Sequence, residues 1–258
     1  MGGTEDSGFG PDLARRFKED GFVCLPGFLD AETIAGILDR IARIKAGVTN
    51  GIPQERFFYE TKGAPETLKQ VQELYRWDEY FHALMFGGKA IELAQVLLED
   101  KAVPINMQYF IKPPAVSKPT PPHQDGFYFM LDPCEAVTMW VALEPVDQET
   151  GCVRYLRGSH KAGLQDHSRT DVLGFSQAVD GFERLRDDYE EVAFPAAPGT
   201  LLAHHALTVH RADANRSGTR TRQALGFIYF AARAKVDEAR HAAYQRRLAA
   251  EMARAGRI

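Results

Sequence analysis

The chain has 258 residues, room for one or two domains at about 150 residues each, although sandwiches and barrels of this length commonly fold as one. Its 45% hydrophobic and 26% charged residues, with a mean hydropathy of -0.30, exclude a disordered or fibrous chain. With 31 Lys and Arg against 35 Asp and Glu, the net charge is -4 and no basic field attracts phosphate backbones or anionic lipid, so neither nucleic acid nor a membrane is expected as a partner.

Cys24, Cys134 and Cys152 are odd in number and far apart, which does not make a disulfide framework and suits a reducing compartment. Met1 to Glu19 is charged throughout, unlike a signal peptide, and no run approaches the ~18 apolar residues of a membrane span. The expectation is a soluble, cytoplasmic protein of unspecified oligomeric state.

Residues 1–10 form a polar, Gly-rich lead, and 11–258 are expected to form a single domain. Pro11 to Glu19 has helical spacing, with Leu13 and Phe17 on one stripe, and Gly21 to Leu25 alternates as a short strand. Asp30 is placed to cap a helix over Ala31 to Ala46, where Ile34, Ile37, Leu38, Ile41 and Ile44 recur at three- and four-residue steps. Helical patterns return between Pro65 and Leu98, broken near Trp77 and at Gly87-Gly88, so about 11–100 reads as a mostly helical layer.

From Val103 the texture is β. Short β-branched or aromatic runs at Ile105–Lys112, Phe127–Leu131, Val137–Leu143, Cys152–Leu156, Thr200–His205 and Ala224–Ala232 predict an antiparallel sandwich or barrel over about 103–232, and Ala206 to Val209 is a further strand candidate. Ala162 to Tyr189 is polar and weakly patterned, an insert or lid. An Ala/Arg/Glu-rich helix over Val236 to Arg257 closes the chain.

Pro121-Pro122-His123-Gln124-Asp125 opens a strand, and residues two apart on a strand share a face, so His123 and Asp125 project together. His210 is the distal histidine a closed sheet could bring opposite them, with His204 and His205 as competitors. Two imidazoles and one carboxylate leave three metal positions open, as in non-haem Fe(II) oxygenases, whereas a structural zinc site closes all four. Asn106, Gln108, Phe110 and Lys112 alternate on one strand face, which is either a wet lumen or a solvent-facing surface. Phe129, in register with His123 and Asp125, is an apolar wall for substrate or simply core, and Gly158-Ser159-His160 reads as a turn.

Phe17 to Leu25 (FKEDGFVCL), the HQD at 123–125, the block Met139 to Gly163, and the segments His210 to Ser217 and Arg222 to Leu225 together resemble the phytanoyl-CoA dioxygenase family. The resemblance runs in order from about Phe17 to Ala232. It implies a mainly β fold with flanking helices, a double-stranded β-helix (jelly roll, cupin-like), and a dioxygenase that uses Fe(II), 2-oxoglutarate and O2. By the same likeness His123, Asp125 and His210 hold the iron. Arg222 anchors the distal carboxylate of 2-oxoglutarate, and Lys112, Gln108 and Trp140 contact or flank that cosubstrate.

Arg222 follows His210 by twelve residues where the family usually has eleven, which sets Arg220 in competition. Arg222 is preferred because the small Ala224 and Gly226 share its face and leave room for a diacid. An arginine suits the task because its fork of donors matches a carboxylate bidentately.

The expected reaction is hydroxylation of an unactivated C–H bond of a small molecule, with release of succinate and CO2. Halogenating relatives replace the ligand carboxylate with a small residue, and Asp125 fills that place. Desaturation, epimerisation and ring closure use the same site. The alternatives are a non-redox metal-dependent enzyme of cupin type and a non-catalytic ligand- or metal-binding jelly roll. An acyl-CoA substrate would favour a basic entrance, and the insert offers Arg169, Arg184 and Arg186 among five aspartates.

Overall fold

The computed structural model describes residues 9–48, 51–61, 63–170, 177–244 and 246. Helix α1 (Pro11–Asp20) opens with Pro at its first position and ends at Gly21, whose φ of 84° lets its N–H reach the Phe17 carbonyl at 2.8 Å. A Cβ on Gly21 would come within 2.4 Å of His160 and 2.6 Å of Thr208, so glycine is required there by conformation and by space. Strand β1 (Phe22–Leu25) follows, then α2 (Ala31–Lys45), capped by the Asp30 carboxylate accepting from the Thr33 N–H at 2.8 Å.

The helical pattern expected from Pro65 is overturned in its first part. Pro65–Thr67 is a single 3-10 turn and Leu68–Gln72 is strand β3, paired with the short β2 (Phe57–Tyr59) that the pattern did not announce. The three-residue step from Leu68 to Val71 mimics a helix stripe, but both are buried because the strand is covered on both faces. Helices α3 (Glu79–Phe86) and α4 (Gly88–Leu98) then form, divided at Gly87, whose backbone is extended. Glu79–Leu98 is apolar and long enough by composition to cross a membrane. In the fold it is two helices whose Phe81, Met85, Leu93 and Leu97 are buried in the core.

The remaining strands are β4 (Ala102–Lys112), β5 (Thr120–His123), β6 (Leu131–Asp132), β7 (Ala136–Ala142), β8 (Val153–Leu156), β9 (His167–Arg169), β10 (Gln177–Val179), β11 (Glu191–Phe194), β12 (Leu201–His205), β13 (His210–Ala212), β14 (Arg222–Ala231) and β15 (Lys235–Val236). They build a seven-stranded antiparallel sheet in the order β1-β12-β7-β14-β4-β3-β2 and a four-stranded sheet in the order β11-β8-β13-β5. This is the double-stranded β-helix with its helical layer. Period two sorts the side chains of the large sheet. Met107, Tyr109, Val137, Met139, Val141, Leu225, Phe227 and Tyr229 face the helices, where Ile37, Ile41 and Leu93 complete the main core. Trp140, Ala142, Leu202 and Ala224 face inward with Val153 and Tyr155 of the small sheet.

Two further expectations are corrected next to the site. Phe127–Leu131 is not a strand: Gly126–Phe129 is one helical turn, α5, followed by β6. Gly126 packs so closely that a Cβ would lie 2.6 Å from Cys134 Sγ, and its N–H donates to the Ala206 carbonyl at 2.8 Å; this packing overrides the strand preference of the aromatic run. Residues 206–209 are a turn and β13 begins at His210 itself.

The insert carries the hairpin β9–β10 and helix α6 (Phe182–Asp188), with 171–176 outside the described residues. The closing helix starts at Glu238, later than expected, and everything past Tyr244 except 246 lies outside the described residues, as does the 1–8 lead. Among the described residues the three cysteines are unpaired.

Candidate metal centre and cosubstrate cavity

Strand β13 pairs with β5 so that His210 lies directly opposite His123, with their rings 4.2 Å apart, and the ladder slips by a bulge between His210 and Ala212. Each ring is oriented by its own backbone: His123 Nδ1 lies 2.8 Å from the Pro121 carbonyl and His210 Nδ1 lies 3.0 Å from that of Thr208. A carbonyl only accepts, so both Nδ1 atoms carry the proton and both Nε2 atoms present a lone pair. Burial, with His123 and His204 alongside, pushes His210 well below the ordinary histidine value, favouring the neutral, metal-binding form.

Asp125 completes the cluster from a different element than expected. It lies past the end of β5, in helical conformation at the start of α5, so strand parity is not what aligns it with His123. Gln124 secures the bend: its side chain donates to the carbonyls of Gly163 and Leu207 at 2.9 and 2.6 Å and accepts from the Gln165 N–H at 2.8 Å.

Asp125 Oδ1 is 3.5 Å from His123 Nε2 and 3.9 Å from His210 Nε2, and one ligand atom from each of the three residues falls within 4.8 Å of the others. Oδ2 accepts from Thr138 Oγ1 at 2.6 Å and from His204 Nε2 at 3.1 Å. Burial disfavours the Asp125 charge, but side-chain hydrogen bonds, that of His204 among them, outweigh it and hold the carboxyl well below its ordinary value. Two neutral imidazole nitrogens and one carboxylate oxygen, converging from two sheets, are a donor set that fits a divalent first-row metal such as Fe(II).

The cluster opens on a cavity of about 580 Å³, of the size that holds small molecules. At its other end stands Arg222, 4% exposed, with Nε lacking a hydrogen-bond partner among the described residues and the guanidinium 5.3 Å from the Trp140 ring. Burial brings Arg222 down to about 10, so it is still charged at neutral pH.

Lys112, opposite Arg222 in the β4–β14 ladder and 7% exposed, donates to the Lys118 carbonyl at 2.7 Å. Burial, Arg222 and Lys69 together hold it well below its ordinary value. Gln108, paired with Gln70, and Trp140 also line the cavity, as does Phe129, which leans on Phe230 at 5.0 Å from within α5 rather than from a strand. Thr138 and Trp140 are two residues apart on β7, roughly 7 Å of strand, so one strand links the Asp125 end to the Arg222 end.

Several sequence alternatives are separated by the geometry. Arg220 is half-exposed and paired on the surface with Asp147 at 2.8 Å and Glu149 at 2.6 Å. The room expected beside Gly226 is filled by the Phe110 ring, 2.8 Å from where a Cβ would lie, so the space next to Arg222 opens elsewhere. His205 points to the helical side, near Phe17 and His160. His204 is inside the site but turned to Asp125 Oδ2, with Tyr155 at its other nitrogen. Sequence reading did not single out Thr138, Tyr155, Lys69 or Gln70. Parity with Trp140 was the available signal for Thr138, and β3, read as helix, hid the other two.

A jelly roll whose facing sheets bring two imidazoles and a carboxylate to one end of a cavity that ends on a buried arginine defines the class of mononuclear metal-dependent oxygenases. The chain belongs to the phytanoyl-CoA dioxygenase family: the profile described as Phytanoyl-CoA dioxygenase (PhyH) matches residues 17–224. It is 28% identical over 259 residues to phytanoyl-CoA dioxygenase domain-containing protein 1 of Bos taurus, covering 84% of this chain and 88% of that protein. A probable alpha-ketoglutarate-dependent hypophosphite dioxygenase of Stutzerimonas stutzeri is 24% identical over 213 residues, covering 81% and 74%. Among solved structures, the epimerase SnoN from nogalamycin biosynthesis, in complex with Fe3+, alpha ketoglutarate and nogalamycin RO, aligns with a TM-score of 0.70 at 28% identity, covering 87% and 84%.

Proposed function

We propose that this dioxygenase hydroxylates an unactivated C–H bond of a small molecule. In the balanced reaction, substrate C–H, O2 and 2-oxoglutarate give C–OH, succinate and CO2. Its cofactor and cosubstrates are Fe(II), 2-oxoglutarate and O2. The observation that carries the reading is the pairing of the His123–Asp125–His210 cluster with a buried, incompletely satisfied Arg222 across one cavity.

In this reading His123 Nε2, Asp125 Oδ1 and His210 Nε2 hold the iron, which when bound supplies the activation of O2 that no side chain can provide. Arg222 takes the distal carboxylate of 2-oxoglutarate in a charge-assisted, bidentate pair. Lys112 adds a second donor, Gln108 a polar contact, and the Trp140 ring covers the chain of the diacid. The aliphatic and aromatic wall of Ile105, Phe129, Ile228 and Phe230 excludes water on the side left for the substrate.

A small molecule is favoured over an acyl-CoA by where the charges lie. Lys69, Lys112, Lys118, Arg211 and Arg222 line the cavity, whereas none of Arg169, Arg184 and Arg186 does. Glu238 and His241, which also line the cavity, add no permanent cation for a thioester's phosphates. Epimerisation is the second reading, favoured by the 28% identity to the epimerase SnoN.

The test is incubation with Fe(II), 2-oxoglutarate and 18O2 across a panel of small molecules. Slow succinate release alone, faster release with a substrate, and a product gaining one labelled oxygen atom are expected. A product of unchanged mass with an inverted centre would establish the second reading, and no succinate under any condition would contradict both.

A further inference from the structure

Asp125 uses only one of its oxygens toward His123 and His210. The other is held by two donors that come from adjacent strands of the large sheet: Thr138 on β7 and His204 on β12 are direct register partners, and both reach Oδ2, at 2.6 and 3.1 Å. His204 is 3% exposed and Tyr155, from the small sheet, is fully buried. The Tyr155 hydroxyl lies 3.0 Å from His204 Nδ1. A carboxylate only accepts, so the His204 proton sits on Nε2 and the Tyr155 hydroxyl donates to Nδ1. A donor at Nδ1 leaves the His204 proton on Nε2, the atom that faces Asp125. Tyr155 is also the cross-strand partner of His210, so the relay returns to the cluster it supports.

We infer that His204, its tautomer set by Tyr155 and assisted by Thr138, is a positioning residue that holds Asp125 as a one-oxygen ligand. The inference rests on the proposed role of Asp125 and concerns residues with no place in that reading. Without the two donors the carboxylate is free to turn and offer both oxygens, taking a metal position that 2-oxoglutarate needs. Partners that orient a metal ligand commonly change metal affinity by about 10- to 100-fold when removed. His204 acts through Asp125 and does not itself ligate, because its Nε2 is committed as a donor.

The experiment is anaerobic titration of metal-free protein with Co(II), then with 2-oxoglutarate, followed by visible absorption. His204→Phe keeps a ring and loses the donor; about tenfold weaker Co(II) binding, an altered ligand-field spectrum and weaker 2-oxoglutarate binding are expected. His204→Gln, whose amide N–H reaches the Nε2 position, should recover most of the affinity and the wild-type spectrum. Tyr155→Phe should fall between His204→Phe and wild type.

A merely space-filling His204 would lower the melting temperature in both His204 variants and leave the Co(II) dissociation constant unchanged, which would overturn the inference. Equal loss of metal in His204→Phe and His204→Gln would also overturn it, by making His204 a ligand. Should His204→Phe fail to fold, Thr138→Val and the Thr138→Val/Tyr155→Phe pair carry the same prediction. Unchanged Co(II) spectra in both would then overturn it. If wild type binds Co(II) while Asp125→Ala binds equally well, the proposed metal centre fails, and that outcome is distinct from failure of the relay.

Discussion

The two ends of the cavity differ in how their polar atoms are satisfied. Around Asp125, both Nδ1 atoms of His123 and His210 meet backbone carbonyls, both His204 nitrogens have partners, and Oδ2 has two donors. At the other end Arg222 is as deeply buried, yet its Nε has no partner among the described residues, and Lys112 and Lys69 add charge against Glu60. Burying a cation without an anion costs free energy. The first end has its polar atoms satisfied within the protein, and the second leaves the Nε of a buried cation without an acceptor among the described residues. That division suits a site where geometry must be fixed for the metal and charge must be left over for a diacid.

Breaking the rigid end has the largest expected effect. Asp125→Ala removes one of the three proposed ligands and strands the Thr138 and His204 donors; 2-oxoglutarate-dependent succinate release should fall at least a hundredfold while circular dichroism still reports a folded protein. Breaking the charged end comes next. Arg222→Ala removes the proposed charge-assisted pair of ~1.5–3 kcal/mol, so the 2-oxoglutarate requirement should rise by roughly ten- to hundredfold, with Fe(II) affinity nearly unchanged.

Lys112→Met sharpens the comparison, because it should make the protein more stable and a poorer binder. In the unfolded chain Lys112 titrates at the ordinary 10.5 and in the fold well below it. Its contribution to stability is therefore fully present only above about 10.5 and is lost as pH falls toward the folded value. At neutral pH Lys112→Met should raise the melting temperature by ~2–4 °C, a gain that shrinks at alkaline pH, while 2-oxoglutarate binding weakens several-fold. Smallest of all, Arg220→Ala should leave 2-oxoglutarate saturation curves superimposable on wild type, since Arg220 is occupied with Asp147 and Glu149 on the surface.

The helices were legible where local chemistry decides them: Pro11 and Gly21 bracket α1, Asp30 caps α2, and the isoleucine stripe faces the core. β3 and α5 were not, because in both cases tertiary packing outweighs local pattern. Leu68 and Val71 read as a helix stripe until the strand is seen to be covered on both faces, and the aromatic run after Asp125 reads as a strand until Gly126 is seen against Cys134.

His123, Asp125 and His210 do converge, but the same-face argument that joined the first two does not describe them; a bend held by Gln124 does. Arg222 was preferred to Arg220 for room beside Ala224 and Gly226, room that Phe110 fills at Gly226; what separates the two in the fold is the acidic surface pair, Asp147 and Glu149, that engages Arg220. His204 entered the sequence reading as a rival ligand, and only the register with Thr138 turns it toward Asp125.

The most direct test of the two-ended site is a crystal structure of the protein grown anaerobically with Fe(II) and 2-oxoglutarate. Iron is expected on His123, Asp125 and His210, with the diacid reaching from that iron to a bidentate pair on Arg222 beside Trp140. Iron bound elsewhere, or a distal carboxylate held by Arg220 or Lys69 with Arg222 left unengaged, would contradict it.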